Sequence, residues 1–346
     1  MIRVRQTETY SSGAGTQPAT APAARPETRQ EAPRAPVLVT GAGGFVGMHV
    51  CHELCRRGWS VRALAHSPAK AAQRLAGLSL EIVVGDLRDV AVVRRAVGGM
   101  GAVVHLAAIA IERGGQHYEQ VNADATATLL REAQAARVER FVHMSQNGAS
   151  SGSPYRFLRS KGVAEDAVRD STMGWTVLRP SVIFGREDEF VNVLARLVRL
   201  SPLVYPVPGG GRARFQPIAV DDVARVVVRA LDMPETSRAV YSLGGAEPLS
   251  LRAMVERVLA TMQLRRHLVS VPVPLVRPIV AVLERILSRP PVTTGLLDLL
   301  ALDNTIAENA LTSVFGITPV PFLPDALDYL RDITLRSAIR SLFQET

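Results

Sequence analysis

The feature that most constrains this chain is the short run VLVT at 37–40, followed at once by glycines at 41, 44 and 47 and by an apolar helical segment ending near Gly58. A buried strand, a glycine turn and a helix are the opening parts of a dinucleotide-binding βαβ unit. Each glycine answers a physical need. The chain must turn tightly, a pyrophosphate must approach the backbone, and the helix must pack on the strand with the anion at its N-terminus. The spacing G-x-x-G-x-x-G is weak by itself; its strand-before, helix-after setting makes it specific.

The alternation continues. "WSVRALAH" (59–66), "LEIVVGDLRD" (80–89), "GAVVHLAAIA" (101–110) and "RFVHMSQNGA" (140–149) read as four more strands, with helices such as Asp124–Ala136 between them. Strands alternating with helices predict an α/β, Rossmann-type doubly wound parallel sheet, with ligands beyond the strands' C-terminal ends. Past about residue 185 the pattern turns irregular, as in a smaller, mostly helical C-terminal lobe. The expected division is a tail over 1–36, a dinucleotide-binding domain over 37–185 and a lobe over 186–346, with 212–243 packing back on the first domain. Residues 212–231 read as a strand and then an apolar helix capped by Asp221 or Asp222, and 248–262 as a helix beginning at a serine. Arg212 and Arg214 are open to a cofactor phosphate or to solvent.

Composition removes several classes. Hydrophobic residues make up 47% and charged residues 21%, a globular balance. The net charge is +8, yet Lys occurs only at 70 and 161 and every other basic residue is Arg. No dense basic run with interleaved aromatics is present, which argues against nucleic acid. A basic surface still suits an anionic membrane or an acidic partner. Cys51 and Cys55 lie near His49 and His52, but all four fall on one helix and no second ligand pair exists, so no metal site is expected. Two thiols give no disulfide framework, which fits a cytoplasmic setting.

Residues 1–36 are rich in Ala, Pro, Thr, Ser, Gly and Arg, lack the apolar core of a signal peptide, and read as disordered. No uninterrupted apolar run reaches about eighteen residues, the length of a spanning helix. The nearest, 268–287, is broken by Pro272, Pro274, Arg277, Pro278 and Glu284. Its part 275–287 is apolar on several faces. Core is the simpler reading; docking on a membrane protein or bilayer surface is the other.

The end of the second strand bears on the cofactor. An NAD site usually places a carboxylate about twenty residues past the glycines, to bond the ribose hydroxyls. That place holds Ala65, His66 and Ser67, with Lys70 close behind. Nothing repels a 2′-phosphate, so NADP(H) is favoured over NAD(H), the plainer reading being a solvated loop.

"TGAGGFVG", "GDLRD", "VVHLAAIA", "LRPSVIFGREDEF" and "RFQPIAVDDVA" together resemble the atypical, extended short-chain dehydrogenase/reductases, the epimerase/dehydratase-like group. "RFLRSKGVAE" with "IFGREDEFVN" is similar to one branch, the nucleotide-binding accessory subunit of respiratory complex I and its bacterial relatives. The resemblance runs from about Val37 to about Leu330. It implies that Gly41, Gly44, Phe45, Val46 and Gly47 surround the pyrophosphate and that Asp86 and Leu87 meet the adenine edge. Asp86 has a second reading as a turn cap. The resemblance further implies that Ala107 and Ala108 line the ribose and nicotinamide passage, that Lys161 bonds the nicotinamide ribose, and that Pro180 to Ile183 flank the nicotinamide.

Active members of that family carry Tyr-x-x-x-Lys on one helix, where the lysine lowers the pKa of the tyrosine and the phenol passes a proton. Counting back four from Lys161 gives Phe157, which has no proton to give. Tyr155 lies two residues earlier, about 200° round an ideal helix. The second hydroxyl position after the fifth strand is Gln146, with Ser145 before it. Lys161 departs from an otherwise nearly all-Arg chain, and a compact ammonium fits between ribose hydroxyls where a planar fork would not. The binding half of the motif is kept and the chemical half is dropped.

The leading expectation is therefore a non-catalytic NAD(P)H-binding accessory protein of a respiratory membrane complex, peripheral on the inner face of the energy-transducing membrane. The alternatives are an active reductase, epimerase or dehydratase, and a nucleotide-sensing regulator.

Overall fold

In the computed structural model, the described residues are 34–287 and 290–343. Most of the expected tail, residues 1–33, lies outside them. Seven strands form one parallel sheet: β1 (Val37–Thr40), β2 (Val61–Ala65), β3 (Glu81–Val84), β4 (Ala102–His105), β5 (Arg140–Met144), β6 (Gly174–Pro180) and β7 (Ala239–Leu243). Their order is β7-β6-β5-β4-β1-β2-β3, with Val37 opposite both Val61 and Ala102. The direction of winding reverses between β1 and β4, and such a switch point opens a crevice at the strands' C-terminal ends.

Both faces of the sheet are covered, which is why the strands read as unbroken apolar runs. Successive strand side chains point to opposite faces. Val37 and Val39 therefore enter the core shared with α1 (Phe45–Arg56) and a later helix at Val220–Asp232. Leu38 enters the core on the other face, with α3 (Val90–Val97) and α4 (Ala125–Ala135), while α2 (Pro68–Arg74) follows β2. Next come α5 (Arg156–Arg169) and α6 (Val191–Leu200), then α7, the helix at Val220–Asp232, whose apolar side packs on α1.

Several strands are shorter than their apolar patterns predict. β3 stops at Val84, β4 at His105 and β5 at Met144. The residues beyond leave the ladder to form loops over the crevice, where Asp86, Ala107 and Gln146 lie. The cap of α7 also differs from expectation. Ala219 holds the N-cap position, and Asp221 and Asp222 sit in the first turn. Asp221 instead pairs with His49 of α1 at 2.7 Å. Asp222 accepts from the Val320 amide at 2.8 Å and pairs with Arg225.

From Ala35 onward the chain forms one compact unit. Its second core gathers Phe184, Val207, Phe215, Met254, Phe322 and Leu327. Around it are three two-stranded pairings, Ile183–Phe184 with Ile218–Ala219, Arg214–Phe215 with Leu249–Ser250, and Val204–Pro208 with His267–Val271. Ser250 caps α8 (Leu251–Thr261) by accepting from the Ala253 amide. Two further helices are α9 (Val273–Ile286) and α10 (Thr294–Leu299).

The core reading of 275–287 fails. In α9 only Val280 is buried. Leu275, Ile279 and Ile286 are 63%, 62% and 72% exposed, and Val282 and Leu283 join them on the surface. These five recur at helical spacing on one side. The polar residues lie on the other: Arg277 pairs with Asp298 of α10 at 3.2 Å, and Glu284 accepts from the Thr294 amide at 3.0 Å. The helix is amphipathic with its apolar side outward. Among the described residues, no helix is long and apolar enough to cross a membrane.

Candidate functional site

The site begins where β1 ends. Gly41 has φ +69°, and a Cβ there would stand 2.8 Å from the Ala107 backbone, so the chain after β4 packs directly on the turn. A Cβ on Gly47 would lie 2.1 Å from the Gly41 carbonyl oxygen. This glycine is structural. Gly44 differs: its φ is −81°, open to any residue, and a Cβ would touch only the Gly41 carbonyl at 3.0 Å. Gly44 is the N-cap of α1, with no side-chain cap and no acid in the first turn. The first N–H groups, through Phe45 and Val46, are thus left for an anion, which the helix dipole also favours. Gly44→Val is expected to abolish dinucleotide binding in calorimetry while leaving the melting temperature within a few degrees. Gly47→Val is expected to unfold the protein instead.

At the end of β2, His66 is exposed, and the Ser67 hydroxyl caps α2 by accepting from the Lys70 amide at 3.3 Å. Arg74, further along α2, donates to the Gly43 carbonyl at 2.9 Å and pairs with Glu187 at 3.1 Å. Sequence reading missed Arg74, because only the packing of α2 brings it to the glycine turn. Beyond β3, Asp86 accepts from the Arg88 amide and is forked by its guanidinium at 2.6 Å. Arg88 holds the Asp86 carboxyl below its ordinary pKa. The turn-cap reading of Asp86 is thus visible in the structure. The Leu87 side chain is buried in the core below. Ala107 and Ala108 follow β4, half-buried and exposed respectively.

On the far side of the crevice, α5 carries Phe157, Lys161 and Glu165 at four-residue spacing, one above another on one face. Lys161 is 4% exposed and donates to the Met144 carbonyl at 2.6 Å, at the end of β5. Burial lowers its pKa to about 8, with Glu165 opposing. Glu165 is buried, forked by Arg179 at 2.6 and 2.9 Å, and accepts from the Ser145 hydroxyl at 3.0 Å. Ser145 is thereby tied back into the protein. Gln146 follows it, half-buried. Sequence reading missed Glu165 and Arg179 because their partners are distant in the chain. It also missed Gly162, where a Cβ would lie 2.1 Å from the Ser150 backbone, so that α5 and Lys161 seat closely on the loop after β5.

Pro180 closes β6, buried, with its carbonyl accepting from the Asn147 amide at 3.0 Å, and Ile183 pairs with Ile218. The rings of His105 and His143 stack at 5.2 Å beneath this edge. Burial, then the Lys161 charge, drives the pKa of His105 down to about 3, and His143 is lowered well below its usual value for the same reasons. Lys161 is therefore the group in this buried layer that titrates near neutrality.

The helical argument about Tyr155 does not hold. Tyr155 is the N-cap of α5, with φ −86° and ψ 117°, so helical spacing does not set its direction. Tyr155 and Phe157 line the same cleft, and Phe157 packs on Tyr118 with ring centroids 5.7 Å apart. On α1, Cys51 is buried, its thiol pushed up to about 12 by burial, and Cys55 reaches the Ser79 carbonyl.

The glycine turn between β1 and α1 opens on this crevice, and residues 41–234 match the family model described as NAD(P)H-binding. The chain belongs to the NAD(P)H-binding family. It is 27% identical to NADH dehydrogenase (ubiquinone) 1 alpha subcomplex subunit 9 of Arabidopsis thaliana, over 79% of this chain and 71% of that one. It is 32% identical to the ceramide reductase of Caulobacter vibrioides, over 56% of this chain and 60% of that one. The chain spans about three-fifths to seven-tenths of the length of such curated relatives. Among solved structures, the UDP-glucose 4-epimerase of Thermus thermophilus in complex with NAD superposes with a TM-score of 0.65 at 21% identity, covering 86% of this chain and 97% of the epimerase. That likeness concerns the fold: a seven-stranded parallel sheet flanked by helices.

Proposed function

We propose that this protein is a non-catalytic NAD(P)H-binding accessory subunit of a respiratory NADH:quinone oxidoreductase or a similar membrane complex. One observation supports the reading: Phe157, not a tyrosine, stands four residues before the buried Lys161, and the Ser145 hydroxyl donates to Glu165. Gly44 and the bare α1 N-terminus remain, and Lys161 remains buried at the end of β5. The similarity to the alpha subcomplex subunit points to the same role. Isolating the protein from its native membrane and identifying what co-elutes tests the reading. Recovery with respiratory-complex subunits supports it, and recovery alone from a mildly solubilised membrane counts against it.

Within this reading NADP(H) is the preferred cofactor. No carboxylate follows β2, Asp86 is neutralised by Arg88, and Lys70 lies on α2, which starts at that corner. Calorimetry is expected to give NADPH an affinity at least equal to that of NADH; a clear NADH preference would overturn it.

The outward apolar side of α9 is proposed as the part that meets the membrane surface. Ile279→Ser with Ile286→Ser is expected to reduce sedimentation with anionic vesicles several-fold, since each buried side chain of this size contributes about 1.5–3 kcal/mol. Equal sedimentation would remove the helix from the interface.

A second reading, an active reductase on a lipid-like substrate, is favoured by Tyr155 lining the cleft and by the similarity to a ceramide reductase. Turnover that is lost in Tyr155→Phe would establish it.

A further inference from the structure

Between α5 and the α9–α10 pair lies a cleft of about 390 Å³, within the roughly 300–1,000 Å³ range of small-molecule sites. Its apolar walls are Ile111, Tyr118, Tyr155, Phe157, Leu296 and Leu299. Among the described residues its charged lining is lopsided: the carboxylates of Glu112, Glu284 and Asp298 against the guanidinium of Arg156.

That guanidinium is not available to a ligand. Arg156 is shared between Glu112, at 2.7 Å, and Glu119, at 2.9 Å. Arg277, the partner of Asp298, does not line the cleft, and Arg113 reaches the Pro290 carbonyl. A phosphate or diphosphate entering here would meet carboxylates and, among the described residues, no unshared cation, and like charges repel one another. The Tyr118 phenol has its pKa raised by burial first and then by Glu112, with Arg156 opposing, Glu284 adding a smaller rise and Arg113 a smaller fall.

The cleft also shares a wall with the inside-out helix. Glu284 lines it from one side of α9, while Leu275, Ile279 and Ile286 form the opposite, exposed side of that helix. A membrane surface met by the outer side of α9 would thus lie one helix diameter, about 10 Å, from the cleft that takes up the tail. From the Tyr155 and Phe157 walls, aromatic faces and a phenol hydroxyl would meet an uncharged head.

We infer that this cleft binds an uncharged, long-chain amphiphile, a neutral polar head on an apolar tail, and rejects nucleoside diphosphates and other anions. The inference rests on the proposed dinucleotide reading only in taking Phe157 as the boundary between the cleft and the nicotinamide end.

The test is equilibrium dialysis of the full chain with radiolabelled 1-decanoylglycerol below its critical micelle concentration, beside decyl phosphate and UDP-glucose. One saturable site is expected for decanoylglycerol, with decyl phosphate at least about tenfold weaker and UDP-glucose not bound. Leu296→Asp and Leu299→Asp, both at partly exposed positions, are expected to lower decanoylglycerol affinity at least about tenfold at unchanged melting temperature, because the tail would then lie against a charge. Ile279→Ser with Ile286→Ser is expected to leave it unchanged. Decyl phosphate or UDP-glucose binding as tightly as decanoylglycerol overturns the inference, as does a loss that follows the α9 variant instead of the cleft variants. NADPH titration of the same samples keeps the two readings apart. NADPH binding without decanoylglycerol binding sinks the amphiphile site alone; cleft-dependent decanoylglycerol binding without NADPH binding sinks the cofactor reading alone.

Discussion

Wild-type protein supplied with NADPH or NADH is expected to show no useful turnover with quinones, sugars or short carbonyls. Loss of a positioned general acid typically costs a factor of about 10²–10⁴. Here Phe157, whose ring packs on Tyr118, stands four residues before Lys161, and the Ser145 hydroxyl donates to the buried Glu165 carboxylate. The informative variant is Phe157→Tyr with Gln146→Ser, which returns both hydroxyls to α5 and to the loop after β5. Any activity gained should appear in the double variant and fall again when Lys161 is replaced. Ordinary enzymatic rates from the wild type would defeat the accessory reading, and Tyr155, already on the wall of the cleft, would become the acid to mutate.

Lys161→Ala is expected to weaken dinucleotide binding by about 1.5–3 kcal/mol, the range for hydrogen bonds to charged groups. Isothermal titration reads this directly, and unchanged affinity would reduce Lys161 to a structural strut for the Met144 carbonyl. The pH profile separates the two roles. With a pKa near 8 in the free protein, Lys161 is charged below about pH 7 and neutral above about pH 9. A negatively charged ligand favours the charged form, so affinity is expected to be flat at low pH and to fall as pH rises through 8. NADH is the ligand to use, since the 2′-phosphate of NADPH titrates in part of this range. In Lys161→Ala the fall should vanish. Stability moves the other way. The lowered native pKa means that the unfolded chain binds more protons between about pH 8 and the usual lysine value near 10.4, so unfolding free energy rises with pH across that window.

How much of this was legible in the sequence depends on the range of each interaction. The glycine turn and the strand–helix alternation are local, and they led to the sheet and its glycine turn; the Phe157–Lys161 spacing is local too and led to the expected degenerate relay. Strand ends were overread by several residues, because an apolar pattern continues past the point where β3, β4 and β5 leave the ladder. The cap of α7 was misplaced because Asp221 and Asp222 look like caps in sequence, while His49 and Val320 claim them in space.

The sequence by itself determined that a parallel sheet would form, that a glycine turn would lead from β1 into α1, and that Phe157 would stand four residues before Lys161, since each follows from residues within a few positions of one another. Tertiary structure alone decided the rest. It tied Ser145 and Arg179 to Glu165, set Arg74 on the glycine turn, placed Tyr155 on the wall of the cleft, and turned the apolar side of α9 outward. The physical reason is the same in each case. A helix's periodicity states which residues share a side, but the neighbours packed against it decide which side faces in. For α9 the pairing of Arg277 with Asp298, and of Glu284 with the Thr294 amide, turns the polar side toward α10 and its N-terminus, leaving the apolar side to solvent.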